Sequence, residues 1–148
     1  RNWDLIKQGE RRVKREDPSL FAGIPPSLPA LVKSRQIQER AAKVGFDWEE
    51  GDIGPIVDKI HEELWELNEA ITSRDREHIE EEMGDVFFAL ANLSRHLKVE
   101  PEFSLQRANR KFESRLRFME NRVERSGRPW SDYTLDELEA LWDDAKGE

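Results

Sequence analysis

The chain has 148 residues, of which 38% are charged and 36% apolar, with a formal net charge of −8 and no cysteine. The length suits one domain, 1–148, and the mixture suits helices that each bury one stripe and solvate the rest. The missing cysteine excludes disulfides and thiolate metal sites, and the acidity argues against nucleic-acid binding, which draws on excess basic charge. No apolar run approaches the ~20 residues that cross a bilayer and no signal peptide opens the chain, so a cytoplasmic protein without membrane contact is expected.

In chain order, Trp3 to about Arg15 reads as a short charged helix. Residues 16–29 hold Pro18, Gly23, Pro25, Pro26 and Pro29 and read as a Pro-rich loop. Ser27 is expected to cap a helix with Pro29 in its first turn, running through Leu31, Val32, Ile37 and Ala41 to a stop near Gly45. Phe46 to Gly54 is a connector. A helix from Pro55 then carries an apolar stripe of Ile56, Ile60, Leu64, Leu67 and Ile71. After a turn at Thr72 to Arg74 the next helix carries Ile79, Met83, Val86, Leu90, Leu93 and Leu97, and Pro101 breaks it. A further helix carries Leu105, Ala108, Phe112, Leu116, Met119 and Val123 and ends at Gly127. The last opens on Thr134-Leu135-Asp136-Glu137, a capping-box pattern, and carries Leu138, Leu141, Trp142 and Ala145. The expected fold is an all-α bundle with a four-helix core.

Two acidic stretches carry the chemistry: Glu62-Glu63-Leu64-Trp65-Glu66 and Glu81-Glu82-Met83-Gly84-Asp85. At about 100° per residue, Glu63 and Glu66 share one edge of their apolar stripe, and Glu82 and Asp85 border the next. Helices joined by a short turn are antiparallel neighbours, so four carboxylates can converge on one divalent ion. Oxygen-only ligation without Cys favours Mg²⁺ or Mn²⁺ over zinc. Gly84 costs its helix about 1 kcal/mol relative to Ala, which close approach of a helix or ligand would explain. The competing reading is a solvated acidic face. An iron site would need His on the acidic edge, whereas His61 is rotated away from Glu63 and Glu66, His78 opens its helix, and His96 lies three turns from the acids. Trp65 and Phe88 lie off the main stripes and would be exposed in a monomer, which suggests a second interface.

Glu-Glu-x-x-Glu followed by Glu-x-x-Asp, both on helices, resembles the MazG family of nucleoside triphosphate pyrophosphohydrolases, among the all-α NTP pyrophosphatases. Ser27-Leu28-Pro29-Ala30-Leu31, Val44-Gly45-Phe46-Asp47-Trp48, Asn92-Leu93-Ser94-Arg95-His96-Leu97 and Ala108-Asn109-Arg110-Lys111-Phe112-Glu113 extend the likeness to nearly the whole chain. The chain is similar to the C-terminal MazG domain, and its start at Arg1 fits a piece of a longer protein. The resemblance implies Mg²⁺-dependent hydrolysis of an NTP or dNTP to NMP and pyrophosphate, by water attack at the α-phosphate, in the service of nucleotide-pool housecleaning. Glu63, Glu66, Glu82 and Asp85 would be the metal ligands, with Glu62 beside them orienting water. Lys59, Lys111, Arg115, Trp142 and Lys146 would contact the nucleotide, and Asn92 its sugar or base. A broad base spectrum and a homodimer are expected. The alternative is a non-enzymatic acidic helical protein-interaction module, which leaves the alignment of acids along two stripe edges without a reason.

Overall fold

A computed structural model describes residues 18–148, so the helix expected from Trp3 to about Arg15 lies outside the described residues. All regular elements among the described residues are helical: α1 Ala30–Lys43, α2 Gly54–Ser73, α3 Arg76–His96, α4 Pro101–Ser126 and α5 Leu135–Lys146, with a 3-10 turn at Trp130–Asp132. The all-α expectation holds. No helix among them is long and apolar enough to cross a membrane. The chain falls into two compact units, one reaching to Pro101 and one from Glu102 to Glu148.

In the first unit α3 packs against both α1 and α2. Residues 18–29 form irregular turns, and the Arg40 guanidinium of α1 ties them down by donating to the carbonyls of Leu20 and Ala22 at 2.7 and 2.8 Å. The start of α1 corrects the expected Ser27 cap. Pro29 is itself the N-cap, with ψ at 141° and no side-chain cap, and its carbonyl accepts from Lys33 N–H at 2.9 Å. Proline disfavours helical backbone in the residue before it, so Leu28 cannot belong to the first turn. Thr72 and Ser73 also depart from expectation, because both extend α2 with hydroxyls donating to the carbonyls of Asn68 and Ala70. Reversal falls to one residue, Arg74, at φ 58°, and Asp75 then caps α3 by accepting from the N–H groups of Glu77 and His78.

The buried face of the acidic pair differs from the expected stripes. Leu64, Ile71, Met83 and Leu90 stay exposed, while Ile56, Ile60, Glu63 and Ala70 are buried in α2 and Val86, Ala89 and Ala91 in α3. Ala70 is wholly inaccessible and Ala89 nearly so. Small side chains let two backbones approach closely, so the contact line follows the alanines and turns towards the acidic edge. The leucines one position round are left facing outward. Of the two causes expected for Gly84, a neighbouring helix is not found among the described residues: a methyl group built there meets none of their atoms. Gly84→Ala should therefore stabilise the protein by about 1 kcal/mol, read as a raised urea midpoint with unchanged slope.

The expected break of α3 at Pro101 is corrected: α3 already ends at His96, and Pro101 instead opens α4, where its missing N–H is harmless in a first turn. Gly127, at φ 72°, lets the chain turn out of α4, and the Ser126 hydroxyl meets the Tyr133 hydroxyl at 2.7 Å. The expected capping box is present: Thr134 Oγ1 accepts from Glu137 N–H, and Glu137 returns the bond to Thr134 N–H, both at 3.2 Å. Arg128 binds Glu137 at 2.9 Å, and that hydrogen bond, joined by the one from Thr134, holds the Glu137 carboxyl down at about 2.

Candidate functional site

The close approach of α2 and α3 brings Glu63, Glu66 and Glu82 together, with one carboxylate oxygen from each lying within 4.8 Å of the others. Glu63 projects from the buried line of α2, with its side chain only 9% exposed, and Glu82 of α3 is 12% exposed. Each has one oxygen, Oε2, that is buried and lacks a hydrogen-bond partner. Buried carboxylate oxygens are costly without a donor or a cation. Desolvation, then the negative charges of Glu63 and Glu82, push the Glu66 carboxyl up from its ordinary value. Two orphaned oxygens and a third acid that resists ionising are what a hard divalent cation would relieve, so the donor set fits a metal.

Positive charge already leans on this group. Lys59 Nζ lies 3.1 Å from Glu63 Oε1 and 3.5 Å from Glu62 Oε2, and the bond to Glu63 raises its pKa. His78 Nε2 lies 3.4 Å from Glu82 Oε1. Glu62 is more than half exposed on the outer side of Lys59. Asp85 is exposed and stands outside the group of three, one turn along α3 from Glu82. Of the expected ligands, the structure thus gathers Glu63, Glu66 and Glu82 and leaves Asp85 at the rim.

A cleft of about 610 Å³ opens further along α3, between it, α1 and the following loop. Its wall is aromatic, with Phe21, Phe46, Trp48 and Phe88, and its polar members include Gln38 and Asn92. Trp48 is held there through Asp47. Arg95 grips the Asp47 carboxylate with two guanidinium nitrogens at 2.6 and 2.9 Å, and His96 Nε2 and Trp48 N–H each reach Oδ1 at 2.8 Å. The Arg95 bonds, reinforced by His96, hold the Asp47 carboxyl well below the usual carboxylate range against the opposing effect of burial. Arg95 also donates to Asn92 Oδ1 at 2.7 Å. Gln38, on α1, is 5% exposed and gives its Nε2 to the Phe88 carbonyl at 3.0 Å. Asn92, expected to face a sugar or base, lines this cleft, whereas Gln38, Asp47 and Arg95 were not among the expected site residues. For Gln38 the faint signal was a glutamine between Ile37 and Ala41 on the apolar face of its helix.

In the second unit, Lys111, Arg115 and Lys146 line one shallow hollow of about 290 Å³ with Ser114 and Phe118. Trp142 packs on Phe112 with ring centroids 5.3 Å apart, and the Arg115 guanidinium lies 5.2 Å from the Trp142 ring centre. Glu113, on the same helix, pairs with Arg117. The four expected residues therefore form one basic, aromatic group, suited by charge to an anion.

Fold and site together define a class: an all-helical protein that converges carboxylates from two adjacent helices beside an aromatic cleft. Residues 55–121 match the MazG nucleotide pyrophosphohydrolase domain. It is 43% identical over 148 residues to a nucleoside triphosphate pyrophosphohydrolase of Escherichia coli strain K12, covering 97% of this chain and 54% of that protein. It is 41% identical over 147 residues to a protein of Thermotoga maritima named nucleoside triphosphate pyrophosphohydrolase/pyrophosphatase MazG, covering 99% and 55%. Uncharacterized protein YabN of Bacillus subtilis is 38% identical over 146 residues, covering 98% of this chain and 29% of its own length. The resemblance drawn from the acidic motifs is borne out, and the chain spans about half the length of the first two relatives.

Proposed function

We propose that the chain hydrolyses nucleoside triphosphates between the α- and β-phosphates, with Mg²⁺ held by Glu63, Glu66 and Glu82 and with Asp85 joining from the rim. The observation that carries this reading is the convergence of three carboxylates with two buried, unpartnered oxygens. A solvated acidic face would leave those oxygens in water. The bound cation would supply the positive charge that lets an acidic protein hold a triphosphate and that offsets charge building at phosphorus. Glu62 is our candidate for orienting the water. The water oxygen bonds to the α-phosphorus, the bond to the bridging oxygen breaks, pyrophosphate leaves with that electron pair, and the water's proton passes to solvent. Lys59 then exchanges its carboxylate partners for phosphate.

The cleft suits the base. Along a helix rising 1.5 Å per residue, Asn92 stands about 15 Å from Glu82, a span in keeping with a nucleoside triphosphate. The exposed Leu64, Trp65, Ile71, Met83, Phe87 and Leu90 favour a homodimer that covers this face and completes a four-helix core. Product analysis tests the reaction. Incubation with ATP and Mg²⁺ should give AMP and pyrophosphate, while ADP and orthophosphate would assign the wrong bond. No turnover across a panel of NTPs and dNTPs would leave the interaction module as the better reading.

A further inference from the structure

Gln38 and Asn92 give the cleft a hydrogen-bonding polarity that the aromatic wall alone does not. The Phe88 carbonyl only accepts, so the end of the Gln38 carboxamide facing it must be the NH₂. That leaves Oε1 as the other end, and Oε1 is buried without a partner in a side chain otherwise enclosed by protein. Asn92 is fixed by the same logic. A guanidinium only donates, so Arg95 takes the Asn92 oxygen and leaves its NH₂ uncommitted by that bond. Arg95 is in turn locked to Asp47 and cannot follow, so Asn92 cannot turn over without losing its bond to Arg95 and setting NH₂ against the guanidinium. The cleft therefore carries a fixed acceptor on α1 and a fixed donor on α3.

We infer that the cleft selects bases that present an amino group beside an unprotonated ring nitrogen, the amidine edge of adenine and cytosine, over their keto counterparts. This inference rests on the cleft being the base site of the proposed reaction. An amino group supplies the donor that Gln38 Oε1 lacks, and the neighbouring ring nitrogen accepts from Asn92. A keto base reverses both, setting oxygen against oxygen and N–H against NH₂. A site built around buried polar groups rejects a ligand that leaves them unpaired, so the preference should be about tenfold or more within each pair.

The test is calorimetric titration of the chain with AMP against IMP and CMP against UMP, in the presence of Mg²⁺. The amino member of each pair should bind at least about tenfold tighter, and Gln38→Met, which keeps the volume and removes the acceptor, should bring the two members of each pair close together. Equal affinities in the unmodified chain, no measurable binding of any of the four, or a preference that survives Gln38→Met overturns the inference. The unmodified comparison needs no variant, so misfolding of Gln38→Met leaves it decisive. Triphosphate hydrolysis is scored separately: discrimination without turnover keeps the base edge and removes the reaction, and turnover without discrimination does the reverse.

Discussion

Glu66→Gln is expected to lower Mg²⁺-dependent triphosphate turnover by at least about a hundredfold while leaving the helical circular dichroism spectrum unchanged. Glu66 lies against Glu63 and Glu82 with its ionised form disfavoured, first by desolvation and then by their charges. An acid so placed is better suited to a cation than to holding the fold together. The same substitution should therefore raise the melting temperature of the metal-free protein at neutral pH, because a neutral amide relieves the repulsion among the three. Added Mg²⁺ should then stabilise the original chain more than the variant, since a ligand that binds only the folded state shifts unfolding by mass action. Retained turnover would remove Glu66 from the metal site. Loss of the helical spectrum would assign it a structural task instead.

Asp47→Ala should cost about 2–3 kcal/mol in urea-induced unfolding, the largest stability loss expected from any polar residue of the first unit. Arg95 and His96 are only 14% and 4% exposed, so removing Asp47 strands a buried guanidinium. Asp47→Asn keeps an acceptor and should cost less. The pairing also sets an acid limit. Because the folded-state Asp47 carboxyl lies below its ordinary range, its contribution is fully present above that range and is lost as pH falls through the folded value. The unmodified chain should thus lose an increment of stability at strongly acid pH that Asp47→Ala lacks. Parallel pH–stability curves for the two proteins would contradict the clamp. A cycle with Arg95→Met measures the coupling directly.

Local chemistry made much of the helical layout legible. The Thr134–Glu137 box and Gly127 at the end of α4 act within a few residues of themselves and appear where the sequence put them. A short turn between α2 and α3 is enough to set their acids on neighbouring helices, where Glu63, Glu66 and Glu82 gather and Asp85 does not. What escaped depends on partners distant in the chain. Asp47 meets Arg95 across 48 residues and Gln38 meets the Phe88 carbonyl across 50, so neither has a signature of spacing. The face of the acidic pair was misjudged for a related reason. Hydrophobicity ranks Leu64 and Leu90 above Ala70 and Ala89, yet close helix approach rewards the smaller side chain. Gly84 in a helix reads as a close contact, yet among the described residues no helix meets it.

Trp48 stands half-exposed in the wall of the cleft, fixed there by the hydrogen bond from its backbone N–H to Asp47. An indole so placed is an optical reporter supplied by the fold itself. A base stacking against it would change its environment and its emission, so occupancy of the cleft could be followed by light without labelling. Trp48→Phe would subtract that signal from those of the other four tryptophans and assign the change to a single ring.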